Sequence, residues 1–341
     1  MKNLFAGPRA KPIGYLLISL MLTGLLSVNP VQAKAQDAAA KASSLEVRIS
    51  VDEETPFCAG KTTWDQVSWY HIDLLRLAAR FSQMPFTITP VCRDHPTEDG
   101  RVAMLRDGST INLAFFGTSS ARERDLFAIY FPVYLGTTGL RLFFTRTDIE
   151  TDLKNIHTLN DLQKFTFGQE RRWPDTAILE FNGMRVIDAR YPHLHNMLMA
   201  GRFELYPRAY WQAFSELDQM RQTAPDIVLA TDVALYYPMP IYFFVSPDQS
   251  ALHDAILDGM TRAHATGKVL ELLRTHPQTS EAFKKAPLAD LRVINLLNPN
   301  LSDQSRAALA RFGIAQHLEK HPRQDRATAI PEEGSSRQAA Q

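Results

Sequence analysis

The chain has 341 residues, 45% of them apolar and 22% charged, with 37 basic against 37 acidic side chains. That composition excludes a disordered chain, a collagen-like fibre and a disulfide-dense miniprotein, and leaves room for two compact domains. A neutral balance also argues against general nucleic-acid affinity, which needs clustered basic charge to release phosphate counterions, so no nucleic-acid partner is expected.

Lys2, Arg9 and Lys11 form a basic opening with no acidic residue, followed by an apolar run from Ile13 to Val28 and small residues at Val31 and Ala33. This three-part pattern predicts a cleavable secretory signal over residues 1–33, hence a periplasmic protein. An uncleaved anchor is the alternative, although the run is short for a membrane span of about 20 residues. Cleavage removes three basic and no acidic residues and leaves a mildly acidic chain. Residues 34–44 read as a small, polar, flexible leader.

From Leu45 onward strand and helix patterns alternate. Leu45 to Val51 alternates as a strand, Asp65 to Phe81 has helical spacing, and Phe86 to Val91 is a second strand. Gly100 to Arg106 reads as a helix closed by Asp107-Gly108, and Ile111 to Phe116 as a buried strand ending at Gly117. Further strands are expected at 140–144, 165–167, 184–187, 203–206, 226–230 and 241–245. Pro174 opens a helix where its missing N–H costs nothing. One long helix is expected over Leu252 to Leu273, and a short one after Ser302. Strands separated by helices predict an α/β fold with parallel sheets and right-handed crossovers. The charged, proline-containing stretch after about residue 317 reads as a disordered tail.

Cys58 and Cys92 are the two cysteines. In an oxidising compartment such a pair most simply forms one disulfide. Two free thiols or half of a metal site are the competing readings.

The segment Leu113-Ala-Phe-Phe-Gly-Thr-Ser-Ser-Ala-Arg-Glu-Arg-Asp-Leu126, followed by Tyr130-Phe-Pro-Val-Tyr134, combines an apolar strand, a Gly-x-Thr turn and an arginine seven residues after the glycine. It resembles the periplasmic solute-binding proteins of the amino-acid type (type II periplasmic-binding-protein-like, extracellular solute-binding family 3), in a divergent subgroup. Ile241 to Ser246 and the helix behind it resemble the return strand and C-terminal helix of those proteins, and Gly168 to Leu179 resembles their second lobe. The resemblance implies a two-lobed α/β fold, each lobe a mostly parallel sheet flanked by helices, with two crossover strands as hinge. Lobe one would comprise 45–143 and return over 241–300, lobe two would comprise 144–240, and 301–341 would hold the C-terminal helix and tail.

By the same resemblance, Arg124 grips a ligand carboxylate through its planar guanidinium fork; otherwise it is a solvated surface arginine. Gly117, Thr118 and Ser119 supply donors beside it, or form an ordinary helix-capping turn. At the helix start of lobe two, Arg172, Trp173 and Thr176 are candidate contacts, while Asp175 is a candidate helix cap. Arg208 stands where amino-acid binders carry an Asp for the ligand ammonium, which favours an anionic ligand; pairing with Glu204 or Glu216 is the alternative. Phe57 and Trp64 are candidates for the cleft floor, whereas Trp69 and Tyr70 read as core. His193 and His195 read as an exposed loop, and His253, His264 and His276 as surface. No metal or cofactor is expected.

The function implied is capture of a small polar, carboxylate-bearing solute by lobe closure, without catalysis, for delivery to an inner-membrane ABC permease. The alternatives are a dehydratase-like lyase drawing on Glu170, Asp175 or Glu204, and a sensing or interaction protein without a transport role.

Overall fold

The computed structural model describes residues 45–94, 97–171 and 173–314. The expected signal, leader and tail lie outside the described residues, as does Arg172.

In the first lobe, apolar–polar alternation makes β1 (Leu45–Val51), with Val47, Ile49 and Val51 buried. β2 (Phe86–Cys92) and β3 (Leu113–Gly117) run parallel to it. The helix Tyr70–Phe81 links the first two strands and buries Tyr70, Ile72, Leu74, Leu75 and Ala78. The helix Glu98–Asp107 links the next two; Thr97 caps its start by accepting from Gly100 N, and Gly108 ends it at φ 68°. A short helix, Ser120–Asp125, leads from β3 into β4 (Phe127–Ile129).

In the second lobe, β5 (Leu140–Arg146) is buried over Leu140 to Thr145 because it is paired on both sides. β6 (Thr166–Glu170) and β7 (Arg185–Ala189) form a parallel pair. β8 (Tyr206–Ala209) and β9 (Ile227–Tyr236) flank β5, both antiparallel to it. A bridge between Phe167 and Leu205 joins the smaller pair to the larger sheet.

The chain passes from the first lobe to the second through residues 130–139 and returns through 237–240. β10 (Ile241–Val245) then inserts between β3 and β4, antiparallel to both, giving the order β2-β1-β3-β10-β4. The two crossings touch along their backbones: Tyr237 N donates to Gly139 O at 3.1 Å and Val133 N to Ile241 O at 2.9 Å. A side chain at Gly139 would place Cβ 2.0 Å from Tyr237 O, so only glycine permits this approach. A stacked series, Tyr70 on Tyr134 at 4.8 Å and Tyr134 on Trp211 at 4.3 Å, packs the first lobe against the second.

Six sequence expectations are corrected. Residues 292–295, expected within the return part of lobe one, form β11 and pair parallel with β9 of the second lobe. β9 runs past its expected end at 230 to Tyr236, and its free edge over Val233–Tyr236 receives β11. The long helix is two, Ser250–Ala265 and Lys268–Thr275, broken at Gly267 where φ is 77°. His193 and His195 lie on a helix, Tyr191–Met199, which Pro192 helps to start. His253 and His276 are buried rather than superficial. The strand expected at 203–206 is displaced to β8, with Phe203 buried beneath Gly168.

Candidate functional site

The three parallel strands β1, β2 and β3 end at one edge of the first sheet. In open α/β sheets, ligands are held at that carboxyl edge because the loops there converge. The loop after β1 carries Phe57 and Trp64, which meet at 5.4 Å between ring centroids. Arg76 fixes Trp64 by lying 5.1 Å over its ring and donating to its carbonyl at 2.6 Å. The disulfide Cys58–Cys92 ties this loop to the end of β2, with Cα atoms 5.7 Å apart.

At the end of β3 the turn Gly117-Thr118-Ser119 leads into the helix Ser120–Asp125. Ser119 is its N-cap, accepting from Arg122 N at 3.2 Å. Glu123 gathers three hydroxyl donors: Thr118 at 2.6 Å, Ser305 at 2.7 Å and Tyr130 at 3.2 Å. Arg122 turns inward to Gly117 O and Glu98, and its guanidinium lies 4.9 Å from the Phe116 ring. Arg124 is exposed and makes no hydrogen bond or ion pair among the described residues.

On the same edge, Arg101 lies 4.7 Å over Phe116 and 5.6 Å over Phe115. Burial lowers its pKa, and the like charge of Arg122 adds to this, against the opposing charges of Glu98 and Asp52. His71 packs on Phe115 at 4.2 Å. Burial first, then the charge of Arg101, pushes His71 down to about 3, so it is neutral at physiological pH.

Across from this edge, the helix Pro174–Phe181 of the second lobe begins. Between them lies a cavity of about 230 Å³, lined by Thr118 to Ala121 on one side and Pro174 and Ile178 on the other. Met239 of the returning crossing and Asn298, Asn300 and Leu301 of the C-terminal segment complete the wall. No titratable side chain is among these lining residues. Behind Pro174, Asp175 is buried and does not cap the helix. It pairs with Arg141 at 2.7 Å and accepts from Tyr237 Oη at 2.5 Å. Arg141 also reaches the Met239 sulfur at 3.8 Å.

Arg208 is 4% exposed and forms a bidentate pair with Glu216, both contacts at 2.6 Å. Rings of Trp173, Tyr206 and Tyr191 surround its guanidinium at 4.8, 5.1 and 5.6 Å. Burial opposes its charge, but the bonds to Glu216 together with the charges of Glu216, Tyr206 and Tyr191 outweigh this and raise its pKa above the ordinary arginine value.

The expected residues therefore fall into separate groups. Thr118 and Ser119 line the cavity, and Gly117 adjoins them. Trp173 packs with Arg208, which pairs with Glu216 rather than Glu204. Thr176 lies on the helix behind Pro174 with its buried hydroxyl unpartnered. Phe57 and Trp64 stand in the loop after β1, outside the cavity lining. Of the acidic candidates for catalysis, Glu204 accepts from Thr166 N at 2.8 Å and Asp175 is held by Arg141.

Sequence reasoning missed Arg101, Glu123 and Arg141. The last had a signal, since an arginine inside the apolar run Leu140 to Phe144 must find a buried partner. Arg101 had none, because its neighbours come from β3 and appear only on folding.

No protein-family model matches the chain, and no curated protein matches it. Among solved structures it is similar to an ancestral arginine-binding protein bound to arginine, at 16% identity and a TM-score of 0.46 over 69% of this chain and 98% of that one. It is also similar to the periplasmic VFT2 domain of Bordetella pertussis BvgS, at 20% identity and a TM-score of 0.46 over 70% and 96%. A third likeness is to an ancestral amino-acid-binding protein, a precursor of cyclohexadienyl dehydratase, at 15% identity and a TM-score of 0.44 over 71% and 99%. The chain's own topology is that of a two-lobed α/β protein, with two backbone crossings and a strand returning antiparallel into the first sheet, the fold implied by the turn at 113–126.

Proposed function

We propose that the chain is an exported solute-binding protein that captures a small polar solute between its lobes and passes it to a membrane permease. The observation that carries this is the cavity between the carboxyl edge of the first sheet and the start of helix Pro174–Phe181, with Met239 of the returning crossing in its wall. Its volume is below the ~300–1,000 Å³ of pockets for drug-sized ligands, which favours a small solute. Gly117, Thr118 and Ser119 would contact the solute from the first lobe. Trp173 and Thr176 would approach from the second, and Arg124 would join on closure. Arg208, committed to Glu216, would support the site by holding Trp173. Hinge closure about the paired crossings is the expected response to ligand.

The test is mass spectrometry of solutes that co-purify with the protein from a periplasmic extract, followed by thermal shift with each solute found. A solute that is bound, unaltered, and raises the melting temperature supports the reading. Conversion of that solute to a product would replace it with an enzyme, and no solute across a broad metabolite panel would overturn it.

A further inference from the structure

Arginine presents five N–H donors in one plane and has no acceptor of its own. At a partly buried position those donors are expected to be taken up by carbonyls or carboxylates. Arg122 follows this rule, giving its N–H groups to Gly117 O and Glu98. Arg101 does not. Its guanidinium makes no hydrogen bond among the described residues, and its Nε is shut away from solvent without a partner.

What holds Arg101 in place is aromatic. The guanidinium lies over Phe116 at 4.7 Å and Phe115 at 5.6 Å. Such stacking uses the face of the group and leaves its in-plane N–H fork unspent. Glu98 and Asp52 favour its charge through space, while Arg122, on the same Phe116 ring, opposes it. Two cations therefore share one ring at the edge where three parallel strands end. Thr118, two residues beyond Phe116, already lines the cavity.

We propose that Arg101 is an anion anchor at the carboxyl edge of the first sheet, with its free fork taking a carboxylate or phosphate group of the solute. This rests on the solute-binding reading and adds a ligand class to it. Arg122 contributes charge to the same place but no free fork, because its donors are already committed. His71, neutral beside Arg101, adds no third positive charge. A planar oxyanion placed against the two outer nitrogens of Arg101, which unlike Nε are not shut away, would take up their free donors and offset the two like charges.

The test titrates the full chain by calorimetry and thermal shift with succinate and, separately, inorganic phosphate, against chloride at equal ionic strength. At least one anion is expected to bind the wild type, and the responding arm distinguishes carboxylate from phosphate chemistry. Arg101→Gln is expected to weaken that binding at least tenfold, and Arg101→Lys to weaken it less, since lysine keeps the charge without the fork. Arg106→Gln, on the same helix but paired at the surface with Asp125, should bind like the wild type. Circular dichroism establishes that each variant is folded. Equal affinity in a folded Arg101→Gln protein, or no response of the wild type to either anion, overturns the anchor. If a neutral co-purified solute still binds, the solute-binding reading stands without it; if nothing binds at all, both readings fall.

Discussion

At the scale of single residues, burial decides which charges are spent and which are available. Arg208 and Arg141 are both buried and each is paired with a carboxylate, so removing that carboxylate strands a guanidinium away from water. Both pairs are therefore parts of the fold. The sequence offered Arg124, Arg172 and Arg208 as candidates but not this division of labour, because a guanidinium's partner is chosen by elements far away along the chain. His71 offers a direct check. Burial and Arg101 hold it neutral in the folded state, down to about 3, whereas an unfolded histidine titrates near 6.5. The unfolded chain thus binds the extra proton between those values, so stability is full above about 6.5 and is lost as pH falls toward 3. The loss is at most about 1.4 kcal/mol per pH unit. Denaturant unfolding of His71→Gln between pH 6.5 and 4.5 is expected to show a flatter decline than the wild type; parallel declines would mean that His71 is protonated in the fold.

At the scale of elements, the C-terminal segment lines the cavity through Asn298, Asn300 and Leu301, and the loop after β1 stands outside it. The loop has little regular structure apart from the turn at Trp64–Gln66, and its anchorage is the Cys58–Cys92 bond and the contacts of Arg76. The bond closes a separation of 34 residues, which corresponds to about 3–4 kcal/mol in the chain-entropy account. A Cys58→Ser, Cys92→Ser protein should lose about that much unfolding free energy and unfold at a lower denaturant midpoint, and the wild type should move to the same midpoint under reductant. A midpoint insensitive to both changes would show that the loop is held by its packing. The C-terminal segment joins the lobes again: β11 belongs to the second, while Ser305 reaches Glu123 and Phe312 packs on Phe131 at 4.6 Å in the first. Periodicity located the helix after Ser302, but nothing in residues 292–295 announces which sheet edge will receive them.

At the scale of the whole molecule, the proposed closure would turn on the two crossings. Gly139 and Tyr237 bring the two segments into backbone contact, so they are expected to bend together. Gly139→Ala would force an overlap that needs the segments to part, and should lower stability by about 2 kcal/mol or more in denaturant unfolding. An unchanged midpoint would mean that they separate freely. Alternating apolar patterns and the turns at Gly108 and Gly117 were enough to place most strands and helices, since those signals act within a few residues, whereas the break at Gly267 was not read. The α/β class was legible in the same alternation, the two-lobed order through the resemblance at 113–126, and the pairing of Cys58 with Cys92 because the chain has two cysteines. The free fork of Arg101, the Glu123 junction, the capture of β11 by β9 and the cavity wall were decided by tertiary structure alone. Each depends on side chains separated by tens to hundreds of residues, and their meeting is set by how the sheets pack.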